Sequence, residues 1–288
     1  MKRTLVTRIA TLAILVASTL TASTACAITG NFQPDATRSS VGLVVFYSLD
    51  QNGNRVPVTA CSGVLISPTV LLTAAHACVT TSVVVCFDAG PITFSIQNGQ
   101  VQFEGVTALY DGHAYPNPNY AINVEGKKGS PAFCTHDVAV VILDQPVPAS
   151  VVSNYGVLPS AGLVDTLPVN TPATLVGYGS QVHLSPRKVG GENTWAGVLA
   201  RNSASSKLLS VNFAWSDEFI RCSANAGQGK GGIAYGDSGG PVFLGQSNVV
   251  LALNSYVTNS NCAGETYHCR VDVPKILEWI ALEVSIHG

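Results

Sequence analysis

Short apolar runs of strand length dominate the chain after residue 40, and clusters of Gly, Pro, Asn and Ser separate them. The runs are rich in Val, Ile, Leu and aromatic residues, which favour β-strands. Because long helical patterns do not alternate with them, the sequence argues against a parallel α/β sheet. The predicted strands are Leu43–Leu49, Ser62–Ile66, Val70–Ala74, Val138–Leu143, Ala173–Tyr178, Lys207–Trp215, Pro241–Leu244 and Val249–Val257.

One helix is predicted, at the C-terminal end of the chain. Pro274 suits a first helical turn, and apolar residues recur at helical spacing from Ile276 to Val284. The proline-containing stretch Leu143–Pro168 is predicted to be an extended connector. It would join two all-β halves, residues 28–150 and residues 151–288, and each half has a usual size for a folded unit.

Residues 1–27 have the three parts of a secretory signal peptide: a basic start, the apolar stretch Ile9–Leu20, and small residues ending at Ala27. The apolar stretch is shorter than the ~20 residues that span a bilayer, so a membrane anchor is the less favoured interpretation. Lipid attachment at Cys26 is also less favoured, because the preceding residues lack the expected leucine. We therefore predict a secreted, extracellular protein whose mature chain begins at Ile28.

Composition excludes several classes of function. The chain has 15 Lys and Arg against 17 Asp and Glu and contains no basic block, so nucleic-acid binding is not expected. Its 47% apolar and 11% charged content excludes a disordered chain. Eight cysteines with a single methionine favour an oxidising compartment. Without residues 1–27 the chain carries 12 basic and 17 acidic side chains, a mildly acidic balance.

Three residues are candidates for catalysis, although each alone has an ordinary structural explanation. His76 follows an apolar strand, Asp137 precedes another, and Ser238 lies in a glycine-rich run. A lone histidine is more often a core residue, an aspartate before a strand is usually a cap, and a glycine-rich run is often a turn. Together they meet a chemical need, because a serine nucleophile requires a nearby imidazole base and that base requires a carboxylate.

The motifs around these residues resemble those of the trypsin-like (chymotrypsin-fold) serine protease family, and the resemblance covers most of residues 28–288. Its three main segments are Thr73–Cys78, His136–Val141 and Gly236–Pro241, and further matches are Gly177-Tyr178-Gly179 and Trp279-Ile280. The resemblance implies an all-β fold of two antiparallel six-stranded β-barrels with a C-terminal helix. The active site would lie in the cleft between the barrels.

The resemblance, together with the chemistry above, assigns Ser238 as nucleophile, His76 as general base and then acid, and Asp137 as the group that orients His76. The backbone N–H groups of Gly236 and Ser238 would form the oxyanion hole. No cofactor or metal is expected, since Asp88–Glu104 has too few acidic residues for the calcium loop of the family. The implied partners are protein or peptide substrates and protein inhibitors, and we expect a monomer that binds no membrane.

The resemblance also implies an activation pair. In the family, a freed α-amino group pairs with the aspartate before the nucleophile, which here is Asp237. Ile28 follows the predicted signal cleavage site at Ala27, so removal of the signal peptide would itself create the pairing terminus. Thr29 and Asn31 depart from the Ile-Val-Gly-Gly start of the family, and the match is partial.

Seven cysteines remain when Cys26 is removed with the signal peptide. The resemblance implies one disulfide beside the catalytic histidine, and a second pair would tie the loop before Asp137 to the first barrel. Three further cysteines compete for one bridge, which leaves one of them free. The first two predicted pairs are Cys61–Cys78 and Cys86–Cys134. The three competing cysteines are Cys222, Cys262 and Cys269, and the pair predicted among them is Cys222–Cys269.

The resemblance also implies a specificity pocket, which would comprise Gly232, Ser255, Tyr256, Val257 and His268. Trypsin itself has an aspartate at the position of Gly232, so cleavage after Lys or Arg is not expected. Val257 replaces a glycine that admits large side chains, and this predicts a narrow pocket for small apolar side chains. In two alternatives, His268 binds an acidic side chain of the substrate or only fills the pocket wall.

Three other functions compete with an endopeptidase. The run around Ser238 also fits the nucleophile elbow of α/β-hydrolases, but that class places its histidine after the serine and a helix behind the turn. A catalytically silent binding protein on the same scaffold is the main alternative, although such proteins commonly lose a triad residue. An esterase on this fold is the third.

Overall fold

The computed structural model describes residues 28–97, 100–123, 133–184, 194–211 and 216–288. The predictions for residues 1–27 lie outside these ranges. Within them, no helix is both long enough and apolar enough to cross a membrane.

The N-terminal half folds into strands, six of which close an antiparallel barrel. Its strands are β1 (Thr29–Gly30), β2 (Phe32–Pro34), β3 (Val41–Leu49), β4 (Arg55–Leu65), β5 (Val70–Thr73), β6 (Ser82–Cys86), β7 (Thr93–Gln97), β8 (Gln100–Glu104), β9 (Tyr110–Pro116), β10 (Ala121–Asn123), β11 (Phe133–Thr135) and β12 (Ala139–Leu143). The barrel closes in the order β12-β5-β4-β3-β6-β9, while β7–β8 and β10–β11 form separate hairpins. Val44, Phe46 and Leu71 are among the buried side chains of its core.

The C-terminal half forms a second closed barrel and ends in a helix. Its strands are β13 (Pro172–Gly177), β14 (Val182–Leu184), β15 (Thr194–Ala196), β16 (Asn202–Ser210), β17 (Phe219–Ala224), β18 (Gly231–Gly232), β19 (Pro241–Leu244), β20 (Val250–Val257) and β21 (Gly264–Arg270), and the helix is α1 (Pro274–His287). The order is β13-β19-β20-β21-β17-β16, and pairing of β13 with β16 closes the barrel. Short 3-10 helices lie at Ala75–Ala77, Val164–Thr166 and Ala226–Gln228.

These elements confirm the predicted fold of two six-stranded antiparallel barrels followed by one helix. The strongly apolar predicted strands all coincide with observed strands, although the one predicted at Lys207–Trp215 begins earlier, at Asn202, and ends at Ser210. Residues 212–215 of that prediction lie outside the described residues. Four barrel strands, β6, β9, β17 and β21, were not predicted. In β21 the reason is its mixed sequence Gly-Glu-Thr-Tyr-His-Cys-Arg, which lacks an apolar run.

The first residues after position 27 pair with the second barrel and not with the first. Thr29 in β1 lies opposite Gly232 in β18, and β2 pairs with β16. The predicted N-terminal unit 28–150 therefore includes a segment whose hydrogen bonds belong to the C-terminal barrel. This segment places Ile28 in the interior of the second barrel, where its side chain is fully buried.

Buried hydrogen bonds hold the two barrels together around Tyr178 and Arg201. The Tyr178 hydroxyl donates to the Asp88 carbonyl over 2.9 Å. The Arg201 guanidinium, itself buried, donates to the carbonyls of Val41 (2.9 Å) and Phe87 (3.0 Å). Because a buried charge is costly unless its hydrogen-bonding capacity is satisfied, these contacts fix how the barrels meet along the cleft.

Six cysteines have described side chains, and no disulfide joins any two of them: Cys61, Cys78, Cys86, Cys222, Cys262 and Cys269. Burial and the nearby Cys61 raise the pKa of Cys78, so the predicted Cys61–Cys78 partners lie near each other beside the His76 turn. That bridge stays a prediction. The Cys86–Cys134 bridge also stays one, because the Cys134 side chain lies outside the described residues.

The predicted Cys222–Cys269 bridge is wrong for a reason of sheet register. Cys222 in β17 lies opposite Thr266, whereas Cys269 lies opposite Phe219. The two cysteines are thus three positions out of register, about 10 Å along the strands, and point to opposite faces of the sheet. A disulfide requires Cα atoms within about 7 Å of each other.

Candidate active site

His76 is presented by the short helical turn that follows β5. The strand residues before it are buried, and they fix where the turn leaves the first barrel. The His76 backbone N–H donates to Asp137 Oδ1 over 2.9 Å, and its ring Nδ1 lies 2.8 Å from Asp137 Oδ2. His76 is therefore held by one carboxylate at two points, its backbone and its ring.

Asp137 lies two residues before β12, is fully buried and accepts several hydrogen bonds. Besides the two from His76, the Ser255 hydroxyl of β20 donates to Oδ2 over 2.5 Å. Burial alone would raise the pKa of Asp137, but the charge of His76 and the hydrogen bonds from His76 and Ser255 outweigh it and lower the pKa below its usual value. Asp137 is consequently ionised at neutral pH.

Ser238 comes from the second barrel and completes the row of three side chains. Its Oγ lies 2.8 Å from Nε2 of His76. Two glycines allow this approach: Gly236 and Gly239 have φ values of +96° and +76°, a region that favours glycine. A Cβ on Gly239 would lie only 2.1 Å from Thr73 Oγ1, so only glycine lets the serine loop contact the segment that carries His76.

The hydrogen bonds define the tautomer of His76. A carboxylate only accepts, so Nδ1 carries the proton that points to Asp137, and Nε2 is left to accept from the Ser238 hydroxyl. Burial lowers the pKa of His76, but the charge and hydrogen bond of Asp137 more than reverse this and raise the pKa above its usual value. An imidazole of this kind can take a proton from Ser238 near neutral pH.

A cleft of about 420 Å³ opens beside Ser238, and Gly236 and His76 also line it. Among the described residues, the backbone N–H groups of Gly236 and Ser238 donate to no protein acceptor. The Gly236 carbonyl is held by the Ser62 hydroxyl over 3.0 Å. Both N–H groups are thus available for an oxygen atom of a ligand bound in the cleft.

The structure brings the predicted activation pair into contact. Asp237 is fully buried and accepts backbone N–H groups from Gly179 (2.9 Å), Ala234 (2.8 Å) and Ile28. Burial raises the pKa of Asp237 to about 7, because in the uncleaved chain these donors are neutral and only partly offset the desolvation. Among the residues that the structure describes, no cationic group therefore contacts this carboxyl group at the place where the predicted terminus begins.

Two side chains that the sequence analysis did not identify lie close to Gly232 of the predicted pocket. A Cβ on Gly232 would lie 2.4 Å from the Ala224 Cβ and 3.1 Å from the Thr266 Cγ2. Val257 lies directly opposite Thr266 in the β20–β21 ladder. The space next to Gly232 is consequently small and apolar. Only the sheet register, which local sequence does not reveal, could have placed Thr266 there.

His268 is fully buried behind this pocket and does not present a free nitrogen to it. Its Nδ1 donates to Asn254 Oδ1 over 3.0 Å, and its Nε2 accepts from the Thr266 hydroxyl over 2.9 Å. Burial lowers the pKa of His268 to about 3, so the ring is neutral. Tyr256, also predicted for this pocket, stacks on Tyr267 with ring centroids 4.8 Å apart.

A buried carboxylate supports the backbone just before Asp137, and sequence analysis missed it. His136 adopts a left-handed conformation with φ of +54°, which is unfavourable for a residue with a Cβ. Its N–H donates to Glu218 Oε2 over 2.7 Å, and Lys275 of α1 contacts the other oxygen of Glu218 over 2.5 Å. Glu218 thereby links the segment of Asp137 to the second barrel and the C-terminal helix.

Comparisons with known proteins identify the fold and the family of the chain. The structure of HL collagenase superposes with a TM-score of 0.58 at 18% identity, covering 90% of this chain and 99% of the other. The structure of GrC superposes with a TM-score of 0.60 at 17% identity, covering 90% and 100%. At such identities the likeness shows the fold alone. No curated protein matches the chain significantly. The family model described as Trypsin matches residues 33–280, and the chain therefore belongs to the trypsin family.

Proposed function

We propose that the chain is a secreted serine endopeptidase that hydrolyses peptide bonds through an acyl-enzyme. The observation that carries the proposal is the position of His76, whose two ring nitrogens each lie 2.8 Å from their partners, Asp137 Oδ2 and Ser238 Oγ. Family membership supports a serine protease in general. The roles of the individual residues follow from their hydrogen bonds.

In the acylation step, Ser238 Oγ attacks the carbonyl carbon of the scissile bond as its proton moves to His76 Nε2. The carbonyl π electrons move to oxygen, and the N–H groups of Gly236 and Ser238 stabilise the oxyanion. Asp137, which is ionised and buried, stabilises the imidazolium. The C–N bond then breaks as His76 gives its proton to the leaving amine. The acyl group remains bound to Ser238 as an ester.

Deacylation repeats these steps with water. His76, neutral again, takes a proton from a water molecule whose oxygen attacks the ester carbonyl. The second tetrahedral intermediate collapses when the Ser238 oxygen leaves and accepts the proton from His76. The product is a carboxylic acid, and Ser238 regains its hydroxyl group.

The proposed substrate preference is a small apolar side chain on the acyl side of the scissile bond. Its support is the limited space between Gly232, Thr266 and Val257. A preference for acidic side chains has no comparable support, since both nitrogens of His268 are bonded within the protein. Secretion is proposed from the signal-like pattern of residues 1–27.

Val257→Gly is expected to widen the specificity pocket. The substitution removes the side chain opposite Thr266. We expect the ratio of kcat/KM for a substrate with phenylalanine before the scissile bond to kcat/KM for one with alanine there to rise about tenfold. The reason is that the volume of an apolar pocket discriminates between side chains by about 1–3 kcal/mol. Peptide-library profiling measures the change. Efficient cleavage after Arg or Lys by the native protein would contradict the proposed pocket.

Covalent labelling tests the proposed function most directly. An activated serine reacts with a fluorescent organophosphonate, so the folded native chain should be labelled once and Ser238→Ala should not be labelled. His76→Ala is the matched control, since it keeps the hydroxyl and removes the base. A folded native chain that stays unlabelled would instead indicate a silent binding protein. Turnover of an ester but not of the corresponding amide would indicate an esterase.

A further inference from the structure

Glu218 lies just before β17, and its carboxyl group is buried where the segment of Asp137 meets α1. The side chain is only 5% exposed. Its Oε2 accepts the N–H of His136 over 2.7 Å, and its Oε1 lies 2.5 Å from Nζ of Lys275. The backbone carbonyl of Glu218 accepts the Arg270 N–H over 2.7 Å. The residue is thus fixed by its backbone to β21 and by its side chain to both α1 and the segment of Asp137.

The peptide that Glu218 holds is strained. His136 has a φ of +54°, and residues with a Cβ rarely adopt this left-handed region. Its carbonyl accepts the Val138 N–H over 2.8 Å, so the chain turns tightly about Asp137. A strained turn of this kind persists only when the surrounding structure holds it in place. Glu218 supplies a buried carboxyl acceptor on the side of the turn that precedes Asp137.

The two sides of this turn differ in how they are anchored. After Asp137, Val138 is buried in the core, and β12 belongs to the first barrel. Before Asp137, β11 pairs with β10 in a hairpin that forms a sheet of its own. The orientation of the His136 peptide therefore depends on its contact with Glu218 more than on the barrel.

The direction of the Asp137 carboxylate decides how it meets His76. Its Oδ1 accepts the His76 backbone N–H over 2.9 Å, and its Oδ2 lies 2.8 Å from the His76 Nδ1. Because the two contacts use different oxygens, a rotation of the carboxylate misaligns both. Hydrogen bonds weaken steeply as their angle departs from linearity. A change at the His136 peptide would consequently reach His76 through Asp137.

We propose that Glu218 is a positioning residue, which holds the strained peptide of His136 and thereby aligns the carboxylate of Asp137 with His76. Lys275 of α1 pairs with Glu218 and keeps its carboxyl group in place. The effect on turnover rests on the proposed function, whereas the effect on the imidazole of His76 does not. The C-terminal helix thereby contributes to the active site indirectly, through Lys275 and Glu218.

Steady-state kinetics on a peptide p-nitroanilide ending in alanine measure the contribution to turnover. Glu218→Ala should lower kcat about 10²-fold with a change in KM below about twofold, since a displacement of about 1 Å has a cost of this size. Glu218→Gln keeps an oxygen that can accept the His136 N–H and should restore most of the native kcat. Lys275→Glu places a second carboxylate against Glu218 and should lower kcat about tenfold, because like charges in contact repel.

The pKa of His76 provides a readout that requires no turnover. NMR titration of the Ser238→Ala chain measures it, and the resonance of His76 is assigned from its loss in His76→Ala. Asp137 raises this pKa, so a misaligned carboxylate in Glu218→Ala should lower it by about one pH unit. In the active enzyme the acid limb of kcat/KM should then move to lower pH, because His76 stays neutral there. A loss of stability alone would not move either value.

Asp35→Ala is the matched control. Asp35 is also a buried carboxylate that accepts two backbone N–H groups, those of Thr37 and Arg38, and it forms an ion pair with Arg38. Its loss should lower Tm and leave kcat and the pKa of His76 unchanged.

The outcomes separate this inference from the proposed function. If the native chain does not hydrolyse the substrate but Glu218→Ala lowers the pKa of His76, the endopeptidase proposal fails and the positioning role stands. If the folded Glu218→Ala chain keeps the native pKa of His76, the inference is overturned, whatever happens to kcat. Should Glu218→Ala fail to fold, Lys275→Glu carries the same test, since Lys275 is 54% exposed, and an unchanged pKa of His76 in that variant overturns the inference.

Discussion

Asp137→Asn is expected to lower kcat for a peptide amide by about 10⁴ while the fold is retained, as the same exchange does in a related triad. An asparagine side chain has a single acceptor oxygen, whereas Asp137 receives His76 N–H, His76 Nδ1–H and the Ser255 hydroxyl. If the amide N–H₂ faces His76, Nδ1 must accept and Nε2 then carries the proton. The ring could no longer take the Ser238 proton.

Measurement of kcat between pH 6 and pH 9, with circular dichroism and Tm as folding controls, decides this prediction. Ser255→Ala is the matched control because it removes one hydrogen bond to Asp137 and keeps the carboxylate. A hydrogen bond to a charged group contributes about 1.5–3 kcal/mol, so a loss of roughly ten- to a hundredfold is expected. If the folded Asp137→Asn variant keeps more than a tenth of native kcat, the role assigned to Asp137 is wrong.

Local sequence was sufficient for the residues that the structure brings together around Ser238. His76, Asp137 and Ser238 each follow or precede a strongly apolar strand, so their placement depends on short segments that fold predictably. The structure places all three within hydrogen-bonding reach. The resemblance of their motifs to those of the family, together with the chemical need of a serine for a base and a carboxylate, carried this information without any knowledge of strand pairing.

Features that depend on register between distant strands could not be predicted in the same way. Thr266 narrows the pocket and Cys222 is kept from Cys269 because β21 pairs with β17 and β20 in one particular register. Glu218 is placed beside His136 by a contact between the two barrels. In each case nothing in the local sequence marks the residue as part of the site. Its position depends on the pairing of elements that are far apart in the chain.

The start of the mature chain is expected to control both activity and the pH dependence of stability. A free α-amino group at Ile28 would supply a cation to Asp237, whose donors among the described residues are neutral backbone N–H groups. Leaving one partner of a buried ion pair without the other costs about 3–5 kcal/mol, which corresponds to a factor of about 10² to about 4 × 10³ in the population of the paired state. A chain extended by two alanines before Ile28 should show kcat/KM lower by that factor than a chain that begins at Ile28.

Stability gives an independent readout of the same pair when Ser238→Ala is present to prevent self-cleavage. In the extended chain the pKa of Asp237 is about 7 when folded, above its unfolded value, so the folded state holds an extra proton between about pH 4 and pH 7. Its stability should therefore fall as pH rises through this window and level off above it. In the chain that begins at Ile28, the ammonium group lowers the pKa of Asp237 and removes this loss.

Thermal unfolding of the two chains at pH 4.5 and pH 7.5 measures the difference, and Asp237→Asn is the isosteric control that should abolish it. The amide does not titrate, so both chains should then show the same change in Tm over this range. N-terminal sequencing of the active secreted protein completes the test. A fully active form with a start other than Ile28, or equal pH dependence of the two chains with Asp237 intact, would show that Asp237 does not pair with the terminus.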